Sequence, residues 1–154
     1  MSDPASPVVT SVHIAPGRRL AMKAVDRVEA EAGKGLVGDR YHGSKHRHVT
    51  VQSAESLEAA AVALGRPIPP VGTRRNITIS HGEVPGTPGK LLRIGPVLLE
   101  VVRVAAPCKL LEDDLGPGAP AALRRRAGSA FRVLEGGMIG VGDPVAVLVD
   151  TATD

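Results

Sequence analysis

Cys108 is the only cysteine of the 154-residue chain, and it stands in the run Ala106-Pro107-Cys108-Lys109 directly after a strand-like segment. The residues that follow can open a helix. A thiol there gains from the positive end of the helix dipole and from Lys109, and both favour thiolate over thiol. Such a sulfur can act as a nucleophile, carry a persulfide or bind a soft metal. The alternative is a buried cysteine that packs as a small apolar residue. The neighbours alone leave both readings open.

A second candidate is the loop Gly38 to His48, which holds Arg40, His42, Lys45, His46, Arg47 and His48 beside the turn-permitting Gly38 and Gly43. Its donors can surround an anion, and arginine suits bidentate contact with a phosphate. On spacing alone a solvated basic loop is the commoner reading. His42, His46 and His48 could also ring a zinc ion, although no second ligand cluster supports one. Arg74-Arg75-Asn76 precedes a short strand, from whose end these side chains can reach the same pocket, the competing view being two exposed arginines and a turn asparagine. Arg103 lies in the strand that leads to Cys108, and it needs an anionic partner or ligand if it faces inward. Glu112, Asp113 and Asp114 read as a solvated helix face rather than a metal set.

The elements that must position these groups are mostly short strands. Val8 to Ile14, Met22 to Glu31, His48 to Gln52, Asn76 to Ile79, Leu91 to Ile94, Val97 to Val104, Phe131 to Glu135 and Val145 to Val149 have the β-branched or alternating character of strands. One helix is clear after Gln52: Ser53 is its N-cap, Leu57, Ala60, Ala61 and Leu64 form its apolar stripe, and Gly65 and Pro67 stop it. Cys108 to Leu115 and Ala119 to Ala127 are two further helices at the periphery, the second with Arg124, Arg125 and Arg126 near its C-terminal end. Gly136-Gly137 and Gly142-Asp143 are turns. Many short strands with Gly and Pro turns predict a mainly β, β-rich α+β fold with a barrel-like sheet.

With 43% apolar residues the chain can form one ordinary core, and one Tyr and one Phe make base stacking a poor basis for nucleic-acid recognition. A single cysteine forms no internal disulfide, and no apolar run is long enough to cross a bilayer, so a reducing, cytoplasmic setting is expected. The net charge of +3 suits anionic ligands. Residues 8–148 read as a single domain between short frayed termini, 1–7 and 150–154.

The order of motifs resembles the MOSC family, the C-terminal domain of molybdenum cofactor sulfurases. The resemblance runs through Ser11 to Pro16, Gly35 to Gly43, Arg47 to Val51, Arg74 to Ile77, Leu92 to Gly95, Pro107-Cys108, Phe131 to Gly137 and Gly142 to Val145. It implies a MOSC-type β-barrel with a few short helices and a cysteine, here Cys108, that carries persulfide sulfur or contacts the molybdenum of a pterin cofactor, molybdopterin. It also implies basic residues that hold the cofactor phosphate. By position these are Arg40, His42, Arg47, Arg75 and Asn76, with Arg103 on the strand behind them. The chain reads Arg-Arg-Asn where relatives often show Arg-Glu-Asn, which makes that corner more basic. The family's wider associations include pyridoxal phosphate binding, yet the aminotransferase-like desulfurase domain is not in this sequence, so sulfur would come from a desulfurase partner. A reductive role, such as detoxification of N-hydroxylated compounds, would need an electron-donor protein. Two other functions are open: a metal-free sulfur carrier, and a non-enzymatic module for a phosphorylated ligand with Cys108 structural.

Overall fold

The computed structural model describes residues 6–17, 20–106, 111 and 115–148. In chain order these form β1 (Val9–Ile14), β2 (Lys23–Val25), β3 (Arg27–Glu31), β4 (Gly35–Leu36), β5 (Val49–Ser53), α1 (Ala54–Leu64), a 3-10 turn (Pro70–Thr73), β6 (Ile77–Ile79), β7 (Leu91–Ile94), β8 (Val97–Val104), α2 (Ala119–Leu123), β9 (Ser129–Glu135), β10 (Gly137–Gly140) and β11 (Val145–Val147). Among the described residues no helix is long and apolar enough to cross a membrane.

The strands form an eight-stranded sheet in the order β11-β7-β8-β9-β5-β6-β1-β2 and a three-stranded sheet in the order β10-β3-β4. β5 and β6 are parallel, and α1 lies in the crossover that such a pair requires. Period-two alternation sends Val49 and Val51 into the apolar core, with Thr50 and Gln52 on the other face. Leu36 and Ile139 from the small sheet join Ile77, Leu99 and Phe131 from the large one, so both sheets enclose one core. A satellite cluster of Leu57, Ala60, Ile68, Leu111, Leu123 and Ala127 links α1 to α2.

The mainly β expectation holds. Among the described residues the strand ladder does not close into a barrel, because β2 and β11 remain the edges of the large sheet. A bridge between Val8 and Pro144 and the bond from Val9 N to Asp143 O at 2.9 Å join the start of β1 to the start of β11. Three local expectations change. Met22 to Glu31 is two strands, since the chain leaves β1 for β10 at Asp26, whose carbonyl accepts the Val141 amide at 3.0 Å. Gly137 does not sit in a turn but opens β10, and Gly136 lets the chain pass close to Ala30, whose carbonyl oxygen a Cβ would meet at 2.6 Å. The helix from Ala119 ends at Leu123 rather than near Gly128, because Arg124 leaves helical geometry at ψ 126° and Arg125 then turns into the left-handed region at φ 63°.

Candidate functional site

The segment that leads into β6 is both polar and buried. Arg74, Arg75 and Asn76 follow the 3-10 turn and are 8%, 3% and 3% exposed, so the reading of two surface arginines is overturned. The cause is nonlocal: β6 is central, paired to β5 on one side and β1 on the other.

Asn76 commits its whole amide to the fold. Its Oδ1 accepts from the Thr50 amide at 3.0 Å and the Thr50 hydroxyl at 3.1 Å, while Nδ2 donates to His13 O at 3.1 Å and Asp39 Oδ1 at 3.3 Å. Asp39 also accepts from the amides of Ala15 at 3.0 Å and Tyr41 at 3.3 Å. The Asp39–Asn76 contact therefore locks the Gly38 to His48 loop onto β1, β5 and β6.

Arg40 points inward from that loop. Its guanidinium donates to Met22 Sδ at 3.1 Å and to Arg74 O at 3.5 Å, and lies 3.8 Å from Asp39 Oδ1. Arg40 and Arg47 both lie over the Tyr41 ring, at 4.6 and 4.4 Å from its centroid, a cation-π arrangement that orders the loop. Arg74 donates to Leu20 O at 3.0 Å. Arg75 reaches across to the far segment, with Nε donating to Ala127 O at 3.0 Å and Nη2 to Ala106 O at 2.9 Å.

The three loop histidines do not converge. His42 is exposed and pairs with Glu31 at 3.2 Å, and His46 is exposed. His48 is 3% exposed and turned inward: Nδ1 accepts the Val133 amide at 3.0 Å, which leaves Nε2–H to donate to Ser44 O at 2.7 Å. Burial holds its pKa below the usual imidazole value, and Arg132, His42 and His46 add to the effect. A zinc ion has no ligand set in this loop, and among the described residues no three His, Cys, Asp or Glu side chains could hold a metal.

Arg103 does not join the corner. It sits at an irregularity in the β8–β9 pairing and is exposed, so it needs no buried counter-ion. Cys108 and its neighbours from Pro107 to Leu110 lie outside the described residues. The structure thus brings Arg40 and Asn76 together with Asp39 and Arg74, sends Arg75 to Ala106 and Ala127, places Arg47 on Tyr41, and leaves His42 and Arg103 at the surface. Two participants escaped the sequence reading. Asp39 was given no role within its loop, and His13, 6% exposed with Nδ1 unpartnered among the described residues, was given none within its strand.

A profile of the MOSC domain matches residues 38–146, from the Gly38 loop through Arg75, Asn76 and Cys108 to β11. The chain belongs to the MOSC domain family. Solved structures share its fold: the YuaD protein of Bacillus subtilis has a TM-score of 0.79 at 17% identity, covering 90% of this chain and 94% of that one. YiiM of Geobacillus stearothermophilus follows at 0.74 and 18%, covering 93% of this chain and 75% of that one. YiiM of Escherichia coli matches at 0.72 and 16%, covering 96% and 72%. No curated protein matches the sequence. Within this MOSC domain, the Asp39–Asn76 lock and the Arg75 bridge link the matched span's first motif to the segment that leads to its cysteine.

Proposed function

We propose that this MOSC domain works through Cys108, as a persulfide carrier or as a soft contact to the molybdenum of a pterin cofactor. The observation that carries the reading is the pair of bonds from Arg75 to Ala106 O and Ala127 O, which ties the chain two residues before Cys108 to a buried basic corner. A thiolate near fixed guanidinium charge is favoured over the thiol.

Most of the residues that the resemblance assigns to the cofactor phosphate are committed to bonds within the fold or lie at the surface. The Asn76 side chain has no donor or acceptor left, Arg40 is directed to Met22 and Arg74, His42 pairs with Glu31, and Arg103 is exposed. These four do not form a ready phosphate cradle, so the sulfur-transfer step rests on the chain's own Cys108. The Cys108 thiolate attacks the outer sulfur of a donor persulfide, the donor S–S bond breaks, and the donor leaves as a thiolate. The sulfane sulfur then rides on Cys108 with no net change in oxidation state. A cysteine desulfurase is the fitting donor class, in a reducing, cytoplasmic setting. Reduction of N-hydroxylated compounds is the version that adds molybdenum and an electron-donor protein.

The test is mass spectrometry after incubation with a desulfurase and cysteine, together with molybdenum and pterin analysis of protein isolated anaerobically from cells making the cofactor. A gain of one sulfur, or bound molybdenum, that Cys108→Ser lacks is the expected result. Wild-type protein that gains neither overturns the proposal.

A further inference from the structure

β5 begins at the basic corner, where Thr50 meets Asn76, and ends at Ser53, which opens α1. Beside that end lies a cleft of about 430 Å³ lined by Ser53, Ser56, Arg125, Arg126, Glu83 and Val104, among others. Ser53 occupies the N-cap position of α1, yet its hydroxyl makes no capping bond. It is 1% exposed, and among the described residues its Oγ has no hydrogen-bond partner. A buried hydroxyl without a partner is costly, and a ligand in the cleft it lines would supply one.

The charges around it agree. The first amides of an α-helix lack intrahelical acceptors and carry the positive end of its dipole, so they attract anions. Arg125 is exposed and makes no ion pair or hydrogen bond with the described residues, and it is held at φ 63°, where non-glycine residues are uncommon. Arg126 uses Nη1 on Ala122 O at 3.2 Å, which leaves most of its donors for the cleft. Glu83 is the opposing charge, exposed at the rim, so two guanidiniums face one carboxylate. Glu55 is acidic in the first turn of α1 but exposed and outside the cleft lining.

We propose that this cleft is an oxyanion site for the phosphate group of a small molecule, held by Ser53 Oγ, the leading amides of α1 and the guanidiniums of Arg125 and Arg126. It does not rest on the chemistry of Cys108. Val104 lines it and the chain runs from there through Ala105 to the cysteine, so a phosphorylated ligand anchored here borders the segment that carries the sulfur.

The test is isothermal titration calorimetry of the full chain with inorganic phosphate in low-salt buffer, with glycerol 3-phosphate and acetate as parallel probes. Saturable binding of phosphate and not acetate is expected, and tighter binding of the ester assigns the site to esters rather than the free ion. Arg125→Gly combined with Arg126→Ala weakens binding by at least about tenfold, and glycine at the left-handed position keeps the backbone unstrained. Ser53→Ala weakens it several-fold, Glu83→Gln tightens it, and Cys108→Ser and Arg103→Ala leave it unchanged. Absence of saturable phosphate binding, or binding untouched by the double arginine variant, overturns the site whatever the outcome for Cys108.

Discussion

The guanidinium of Arg75 holds the carbonyl oxygen of Ala106 at 2.9 Å while its Nε holds that of Ala127 at 3.0 Å, so one side chain spans from the segment before β6 to two segments distant in sequence. Neither carbonyl belongs to a strand ladder, which makes Arg75 a positioning residue for the approach to Cys108. Arg75→Ala removes both bonds and is expected to lower stability by about 2–3 kcal/mol. Arg75→Lys keeps the charge but replaces a planar fork by a point donor, so it recovers only part of that loss. The rate of Cys108 alkylation is expected to move in both variants and to stay at the wild-type value in Arg93→Ala, whose side chain projects from β7 and pairs with Glu135. Urea unfolding and an alkylation time course provide the check.

Asn76→Asp keeps the shape of the side chain but removes two donors and sets a second carboxylate where Nδ2 now meets Asp39 Oδ1 at 3.3 Å. At neutral pH the two like charges and the unsatisfied His13 carbonyl are expected to cost about 3 kcal/mol or more. Proton uptake by the new carboxyl restores a donor toward Asp39. The deficit relative to wild type should therefore shrink as pH falls, and an Asn76→Ala protein should show no such recovery. Parallel urea titrations at pH 5 and pH 7.5 separate the two.

How far the sequence speaks depends on whether the deciding contact is local. β7 and β8 are read residue for residue, because Leu91 to Ile94 and Val97 to Val104 are apolar runs on either side of Gly95-Pro96. α1 is read as well, from its apolar stripe and from Gly65, which caps it at φ 83° with its amide on Ala61 O at 2.8 Å. β10 is hidden, since Gly137 to Gly140 has little strand propensity and exists as a strand through its pairing with β3. At the site, Arg-Arg-Asn has the same local look whether exposed or buried, and only the central place of β6 decides. The inward turn of His48 likewise depends on the Val133 amide, 85 residues away.

Gly128 and Gly65 test how backbone geometry divides into conformational preference and space. Both have positive φ, 80° and 83°, but a Cβ on Gly65 meets nothing within 4 Å, whereas one on Gly128 would run into the carbonyl of Val51. Gly65→Ala is expected to cost only about 1 kcal/mol, the penalty of the left-handed conformation. Gly128→Ala must also push β9 away from β5 where Ser129 pairs with Val51, and is expected to lose more than about 3 kcal/mol or to fail to fold. Equal urea midpoints for the two variants would contradict the close approach.

His48 and His13 together set an acid limit on stability. Burial lowers the pKa of each below the usual 6.5. In His48 the geometry works in the same direction: Nδ1 accepts the Val133 amide at 3.0 Å, and a proton there would place donor against donor. Because the folded pKa lies below the unfolded one, the unfolded chain takes up protons first as pH falls. The stabilisation from the neutral rings is thus complete above about pH 6.5, declines below it, and is lost as pH reaches the folded values. The urea midpoint of the wild type should be flat from pH 8 to 7 and fall between pH 6.5 and 5. His48→Gln is expected to be less stable at pH 8, since its amide cannot reproduce both ring contacts, and to show a shallower fall below pH 6.5 because one of the two proton acceptors is gone. A wild-type midpoint that rises on acidification would mean that these imidazoles are stabilised by protonation, contrary to the bond from Val133.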